Sequence, residues 1–368
     1  MSDLNTPYSK ALRYISHMRF HRRFHYGDLT ITYADIGRAG DTTILFMPGM
    51  FASRYLAIPM HAIAENLGVR VLLVDRFGMG NSTNVPIEKR VSAWLDLVPR
   101  LLDHLHIDHV ALVSHSSGTI YLLNTLYYCR GVLHPKRPYV ALFAPWVNPS
   151  HSHVISMQLA QFLPAKAFSV WNRVPRFMLL KAAPVMASSG AVIAKVSGLV
   201  SSEIFRSESW VEKNRRRIEE KHGLEYSVQT ELEPLIYQFL FEESTEGANL
   251  EALQCLQKGP PGSWGKCEDY REFVRELVEL ERRGGRCIRE SVRGKLVVRA
   301  YFAESDAMIG KRGQLYVEEC WKGKVNGEFL DVLDFETRTV LGSDHDTVSL
   351  HTETLERVFL ESAGRLAE

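Results

Sequence analysis

The stretch Val-Ala-Leu-Val-Ser-His-Ser-Ser-Gly, residues 110–118, decides the fold. Its first four residues are apolar, which predicts a buried strand, and residues 119–128 are rich in leucine and tyrosine at helical spacing. A serine between a strand and a helix lies on a sharp turn that projects its hydroxyl above the sheet edge, and small residues must line that turn. Ser114 lies two residues before Ser116, and Gly118 lies two residues after it. Ser116 is therefore the candidate nucleophile, with Ser114 and Ser117 as rivals.

Short apolar runs alternate with helical patterns around this turn. Trp94 to Leu105 place apolar residues on one helical face, and Tyr139–Phe143 is predicted to be the next buried strand. Upstream, the patterns predict strands at Phe24–Tyr26, Leu29–Ile36, Thr43–Met47 and Val69–Val74 and a helix at Ile58–Leu67. Strands joined by crossover helices form a largely parallel sheet, which predicts an α/β protein.

The pattern changes beyond Pro149. Residues 150–290 contain long helical patterns and no convincing buried strand, whereas strand character returns at Lys295–Phe302 and Phe329–Leu333, before a final helix from about Asp346. We therefore divide the chain into a first core part, 1–147, an insertion, 148–291, and a second core part, 292–368.

Composition places the chain among ordinary globular proteins. Its 368 residues are 45% hydrophobic and 24% charged, which excludes disorder as the main state. Lys and Arg number 44 against 43 Asp and Glu, so the net charge of +1 supplies no global field for nucleic acid or an anionic membrane. Neither is expected as a partner, and the oligomeric state is not predicted.

Cysteine usage and the first residues predict a cytoplasmic protein. The five cysteines are odd in number and scattered, so a disulfide framework is not expected, and the N-terminus shows no export signal. The stretch Ala182–Val200 approaches membrane-spanning length but contains Pro184 and Lys195, which favours buried helices over a stable span.

A serine nucleophile needs a base and a group that orients the base. Asp306 directly follows the strand predicted at Lys295–Phe302, and His345 lies between the last predicted strand and the last predicted helix. Glu304 is the rival acid and His351 the rival base. Asn148, after the strand Tyr139–Phe143, offers no carboxylate at the alternative acid position.

These motifs resemble the α/β-hydrolase fold superfamily, in particular its lidded serine hydrolases of the esterase and lipase type. Met47-Pro48-Gly49-Met50, here the oxyanion loop, is similar to the family's His-Gly-x loop, with Pro48 in the place of histidine. Asp75-Arg-Phe-Gly-Met-Gly-Asn-Ser82, here the glycine turn, is similar to the family's Asp-Arg-x-Gly-x-Gly-x-Ser. Ser114 departs from the usual Gly-x-Ser-x-Gly. The order serine, aspartate, histidine matches the order in this fold.

The resemblance implies an acyl-enzyme on Ser116, with His345 as base and Asp306 as its partner. It assigns the oxyanion hole to the N–H groups of Met50 and Ser117, and it makes the insertion a helical cap over the site. Phe51, His115 and Trp264 are candidates for the substrate pocket. The loop with Trp264 is predicted either to gate that pocket or only to pack.

We expect hydrolysis of an apolar carboxylic ester, lactone or thioester without a cofactor. Hydrolytic carbon–carbon cleavage by the same residues, or a hydrolase-fold ligand-binding protein or receptor with little turnover, are the alternatives. His151-x-His153 has no further ligands at metal spacing, so no metal site is predicted.

Overall fold

The computed structural model describes residues 5–38, 40, 42–173, 210–287, 294–323, 325 and 327–366. Eight strands in these residues form one sheet. The strands are β1 (Arg22–Tyr26), β2 (Leu29–Gly37), β3 (Thr43–Met47), β4 (Arg70–Val74), β5 (Ala111–His115), β6 (Tyr139–Phe143), β7 (Leu296–Ser305) and β8 (Leu333–Asp344).

The sheet is mostly parallel. Its order is β1-β2-β4-β3-β5-β6-β7-β8, and only the β1–β2 and β2–β4 pairings are antiparallel. Strands β3, β5 and β6 are buried at every residue because helices cover both faces. Parallel strands end at one edge of a sheet, so the loops after β5, β7 and β8 meet there.

The described helices surround this sheet. Helix α3 buries Trp94 and Leu97 on one face, whereas α4 is buried from Gly118 to Leu126. The helices are α1 (Pro7–Ile15), α2 (Ala57–Asn66), α3 (Arg90–His104), α4 (Gly118–Tyr128), α5 (Pro149–Ser152), α6 (Ile155–Ala160), α7 (Trp210–His222), α8 (Tyr226–Glu242), α9 (Gly247–Cys255), α10 (Tyr270–Cys287), α11 (Gly310–Lys322) and α12 (Thr352–Ser362).

Two sequence predictions near the C-terminus are wrong. Residues 329–332 form turns, and β8 begins at Leu333, the end of the strand predicted at Phe329–Leu333. The last helix begins at Thr352 after a short 3-10 turn, Thr347–Leu350, and not at about Asp346. Strand β8 lies at the edge of the sheet and alternates irregularly between buried and exposed residues, so it lacks the continuous apolar run that marks a central strand.

The described residues of the insertion form helices joined by turns, and residues 244–247 dock on the glycine turn. Gly80 and Ser244 exchange backbone hydrogen bonds of 2.8 and 3.2 Å, and Gly247 N donates to Gly78 O at 2.9 Å. A Cβ at Gly78 would lie 2.8 Å from Gly247 N and Cα, so this close approach requires glycine. The boundaries 148–291 stay a prediction.

The apolar stretch Ala182–Val200 falls outside the described residues. Within the described ranges, no helix combines the length and the apolar character that crossing a bilayer requires.

Candidate active site

Ser116 lies on the sharp turn between β5 and α4. Its φ of 49° falls in the left-handed region that residues other than glycine rarely adopt, and its N–H donates to Phe143 O at 3.0 Å. The rival Ser114 is fully buried within β5, where its hydroxyl lies 3.4 Å from the Thr119 hydroxyl. The turn thus presents Ser116 and removes Ser114 from the edge of the sheet.

Two glycines permit the close packing of this turn against the oxyanion loop. A Cβ at Gly118 would lie 2.1 Å from Met47 O and 2.6 Å from Pro48 O. A Cβ at Gly49 would lie 2.7 Å from His115 Nδ1 and 3.3 Å from Ser116 Cβ. The three distances below 3 Å leave no room for a side chain at either glycine, so the oxyanion loop packs directly against the turn.

Ser116, His345 and Asp306 form one hydrogen-bonded line. The Ser116 hydroxyl donates to His345 Nε2 at 2.8 Å, and His345 Nδ1 donates to Asp306 Oδ2 at 2.9 Å. Asp306 follows β7, His345 follows β8, and these parallel neighbours bring both residues to the same edge as Ser116. Ser116 and His345 are only 5% and 6% exposed, so this line is shielded from bulk water.

His345 and two backbone donors together keep Asp306 ionised. Asp306 Oδ1 accepts hydrogen bonds from the N–H groups of Met308 and Ile309, both at 2.8 Å. Burial acts to raise the pKa of Asp306, but His345 and these donors outweigh burial and lower it. Burial acts to lower the pKa of His345, yet the adjacent Asp306 carboxylate raises it above 6.5. The pair therefore favours an ionised acid beside a basic imidazole.

The rival acid and base lie elsewhere. Glu304 accepts a hydrogen bond from Gly342 N at 2.7 Å, and the His351 ring lies 3.2 Å from the Thr354 hydroxyl at the start of α12. Asn148 caps α5 by accepting from Ser150 N at 2.9 Å.

His115 contacts the base directly, which sequence reasoning did not predict. Its Nε2–H donates to the backbone carbonyl of His345 at 2.7 Å, and the two rings lie 5.2 Å apart. Burial, reinforced by the neighbouring His345, lowers the pKa of His115 to about 3, so its ring is neutral. The structure places His115 as a support for the His345 loop, whereas the sequence suggested only a pocket position before the serine.

The residues assigned to the oxyanion hole lie beside this line. Within the described part of the chain, the N–H groups of Met50 and Ser117 have no hydrogen-bond acceptor, so both donors are free for a ligand oxygen. Phe51, the next residue after Met50, has a φ of 63°, a strained conformation that concentrates at functional loops.

Trp264 lies in the hydrophobic core. Its side chain is 1% exposed, its indole N–H donates to Gln254 O at 2.5 Å, and its ring packs against Tyr270. Asn124 Nδ2 donates to its carbonyl at 2.8 Å, which ties the loop to the middle of α4. This burial favours the packing role over the gating role.

No group of three acidic, histidine or cysteine side chains suited to a metal ion occurs in the parts of the chain that the structure describes. The hydrogen-bonded line of Ser116, His345 and Asp306 is the candidate active site because it places a serine hydroxyl on a base that an acid orients.

The model of the alpha/beta hydrolase family matches residues 44–241, more than half of the chain. The chain belongs to the alpha/beta hydrolase family. A search of curated proteins finds no match to this hydrolase.

Solved structures with the same fold include enzymes of different chemistry. A haloalkane dehalogenase from Bradyrhizobium elkani is 15% identical with a TM-score of 0.56, over 94% of this hydrolase and 97% of that chain. A study of carboxylesterases of Nitrososphaera gargenis supplies a structure at 13% identity and TM-score 0.52, over 94% and 100%. The enol-lactonase from Burkholderia xenovorans is 10% identical with a TM-score of 0.51, over 93% and 100%. These likenesses establish the fold of this hydrolase.

Proposed function

We propose that the protein is a serine hydrolase that cleaves a carboxylic ester, lactone or thioester of an apolar small molecule. The hydrogen-bonded line from Ser116 through His345 to Asp306 carries this proposal. An aspartate at the position of Ser116 would favour a different nucleophile chemistry, but the chain has a serine there, within 2.8 Å of a base.

The proposed reaction runs in two halves. The Ser116 oxygen attacks the acyl carbon while His345 Nε2 takes the hydroxyl proton, and the Met50 and Ser117 N–H groups stabilise the resulting oxyanion. The bond to the alcohol or thiol then breaks, and His345 returns the proton to that leaving group. Water attacks the acyl-enzyme and gives a proton to His345, which passes it back to Ser116 as the acid leaves.

An apolar cluster beside the oxyanion loop supports the proposed substrate class. Phe168, Ala252 and Leu256 of the insertion are buried together, and the Met50 side chain packs against them. An acyl group held at the Met50 N–H would therefore lie near apolar side chains from the insertion.

The test is labelling with a fluorophosphonate probe, followed by intact-mass analysis and peptide mapping. We expect one probe per chain on Ser116, and no label on Ser116→Ala. Ser116→Ala should also reduce turnover of an aryl ester by about four to six orders of magnitude with its melting temperature unchanged. Ser114→Ala is the matched control, because the Ser114 hydroxyl lies inside β5, and it should label normally.

The alternatives give different results. A protein that resists the probe but binds an apolar ligand would support a receptor and contradict the proposal. Folded Ser116→Ala with near-normal turnover would contradict the serine mechanism. Cleavage of a β-diketone with inert esters would support the carbon–carbon hydrolase instead.

A further inference from the structure

One buried guanidinium contacts both halves of the proposed oxyanion hole. Arg76, in the glycine turn, donates from Nη1 to Pro48 O and from Nη2 to Gly49 O at 2.9 Å. The same Nη2 lies 3.3 Å from the Ser117 hydroxyl oxygen. Because a guanidinium is planar and rigid, these contacts fix the oxyanion loop relative to the first residue after Ser116.

The geometry of the peptide group links the contact between Arg76 and the Gly49 carbonyl to the direction of the Met50 N–H. The Gly49 carbonyl and the Met50 N–H belong to one peptide group, and the described chain contains no cis peptide bond. In a trans peptide the carbonyl and the N–H point in opposite directions. A Gly49 carbonyl held toward Arg76 therefore turns the Met50 N–H away from Arg76. The Ala52 N–H also donates to this carbonyl, at 3.2 Å, so the guanidinium and this turn together set the direction of the Met50 donor.

A glutamate of the insertion holds Arg76 in turn. Glu251 in α9 accepts from Arg76 Nε at Oε1 and from Nη2 at Oε2, both at 2.6 Å. The Glu251 and Arg76 side chains are fully buried, as is Arg90, which donates to Glu251 Oε1 at 3.2 Å. A bidentate carboxylate fixes the plane of a guanidinium, not only its position.

We infer that Glu251 is a positioning residue for the oxyanion hole: it sets the plane of Arg76, and Arg76 helps to set the direction of the Met50 N–H. This inference rests on the proposed serine-hydrolase function. It assigns the insertion a part in the reaction step itself, in addition to any contact with substrate. Loss of the carboxylate geometry should weaken oxyanion stabilisation without weakening ground-state binding of the substrate.

Glu251→Gln tests the inference. The amide keeps the size of the side chain but presents N–H groups to a guanidinium that can only donate, so Arg76 must shift. We expect kcat to fall by about 10- to 100-fold with KM changed less than about threefold, since a donor displaced by a fraction of an ångström loses much of its effect. An alkyl boronic acid, which forms a tetrahedral anion on the serine, should lose affinity by the same factor as kcat/KM.

Two conservative variants separate geometry from charge and folding. Glu251→Asp keeps the charge but withdraws the carboxylate by one methylene, and Arg76→Lys keeps the charge without the planar fork. Both should lower kcat and boronic acid affinity together while their circular dichroism spectra stay like that of the wild type. These two variants decide the question if Glu251→Gln does not fold.

Glu243→Gln is the matched control. Glu243 also joins the insertion to a core arginine, because it accepts from Arg54 Nη1 and Nη2 at 2.7 and 2.6 Å, but Arg54 donates to Asp75 and Phe20 and not to the carbonyls of Pro48 or Gly49. Any loss of stability from a broken ion pair should occur in this variant too. Its boronic acid affinity should equal that of the wild type.

These experiments separate the positioning role of Glu251 from the proposed serine-hydrolase function. Wild-type kcat in folded Glu251→Gln, or equal losses in Glu251→Gln and Glu243→Gln, would overturn the positioning role while Ser116→Ala remains inactive. An active Ser116→Ala would instead overturn the proposed function itself.

Discussion

The residue that titrates in the proposed mechanism is His345. Only a neutral imidazole accepts the Ser116 proton, so kcat/KM should fall as the pH drops through the pKa of His345, which Asp306 raises above 6.5. Asp306→Asn removes the charge that raises this pKa. In that variant the acid limb of the kcat/KM profile should move to lower pH, and the maximum should drop by about 10³- to 10⁴-fold because the amide favours the wrong tautomer. An unmoved acid limb would contradict this electrostatic coupling.

His115 should make stability depend on pH in the opposite direction to a paired histidine. Its pKa is lowered from 6.5 to about 3 in the folded chain, so below about pH 6.5 the unfolded chain binds more protons. The unfolding free energy therefore carries no penalty from His115 above pH 6.5, and it decreases as the pH falls from 6.5 toward 3. His115→Gln keeps a donor for the His345 carbonyl but does not titrate.

Urea unfolding of His115→Gln and of the wild type at pH 7.5 and pH 5 checks the direction of this pH dependence. The difference in unfolding free energy between His115→Gln and wild type should move in favour of the variant at pH 5, by at most about 1.4 kcal/mol per pH unit for one proton. Burial also lowers the pKa of His61, to about 4. Its contribution to the unfolding free energy is the same in both proteins, so it drops out of the difference. A difference that is constant between the two pH values would show that His115 is not neutral in the folded chain.

At the scale of elements, the start of α4 depends on the absence of a side chain. A Cβ at Gly118 would meet the Met47 and Pro48 carbonyl oxygens at 2.1 and 2.6 Å, and backbone atoms cannot move aside as a side chain does. Gly118→Ala should therefore destabilise the fold by about 1 to 3 kcal/mol and lower kcat, because α4 must move away from the oxyanion loop.

Gly131 provides the matched control for this substitution. A Cβ there would meet no atom within 4 Å, and its φ is not in the left-handed region. Gly131→Ala should leave kcat unchanged and shift the unfolding free energy by no more than about 1 kcal/mol, in the stabilising direction. Thermal melts and kcat of both variants check the pair, and equal effects at the two glycines would refute the packing argument.

The central elements were predictable from the sequence because burial on both faces leaves an unmistakable apolar run. The predicted strands Thr43–Met47 and Tyr139–Phe143 coincide with β3 and β6, and the turn at Ser116 is found where the small residues indicated. The edge strand β8 was misplaced because it is half exposed, so its residues carry little apolar pattern. His345 nevertheless lies between β8 and α12, because the order of the elements was predicted even though their bounds were not.

Contacts between distant elements could not be predicted in the same way. The sequence around Glu251 does not indicate that its partners are Arg76 and Arg90, which lie 175 and 161 positions away. Likewise, nothing in the sequence of residues 110–118 shows that His115 donates to a carbonyl 230 positions away. Such pairings are set by how the insertion and the loops pack on the sheet, a property of the whole fold and not of spacing.

At the scale of the whole molecule, the insertion and the core share charged as well as apolar contacts. Arg54 joins Asp75 of the glycine turn to Glu243 of the insertion, and Arg76 joins the oxyanion loop to Glu251. Buried ion pairs contribute little net stability but cost several kcal/mol when one partner is removed. Their effect here is to fix residues 243–255 on the core in one position.

The apolar contacts between the insertion and the oxyanion loop should set substrate preference. Phe168 is 2% exposed and lies in the cluster against which Met50 packs, so Phe168→Ala would open space beside the oxyanion loop. Each additional buried methylene contributes about 0.8 kcal/mol. The ratio of kcat/KM for octanoyl over acetyl esters should therefore rise by about 10-fold or more in this variant.

Trp264→Phe is the contrasting change, because Trp264 is buried in the main core and does not belong to the cluster of Phe168, Ala252 and Leu256. It removes the indole N–H that donates to Gln254 O and some buried volume, but it leaves the Phe168 cluster intact, so it should lower the melting temperature and leave the octanoyl-to-acetyl ratio unchanged. Measuring both ratios with one set of p-nitrophenyl esters compares the two positions directly. If Trp264→Phe changed the ratio and Phe168→Ala did not, the acyl group would have to lie on the Trp264 side, and the loop at residues 260–265 would line the pocket after all.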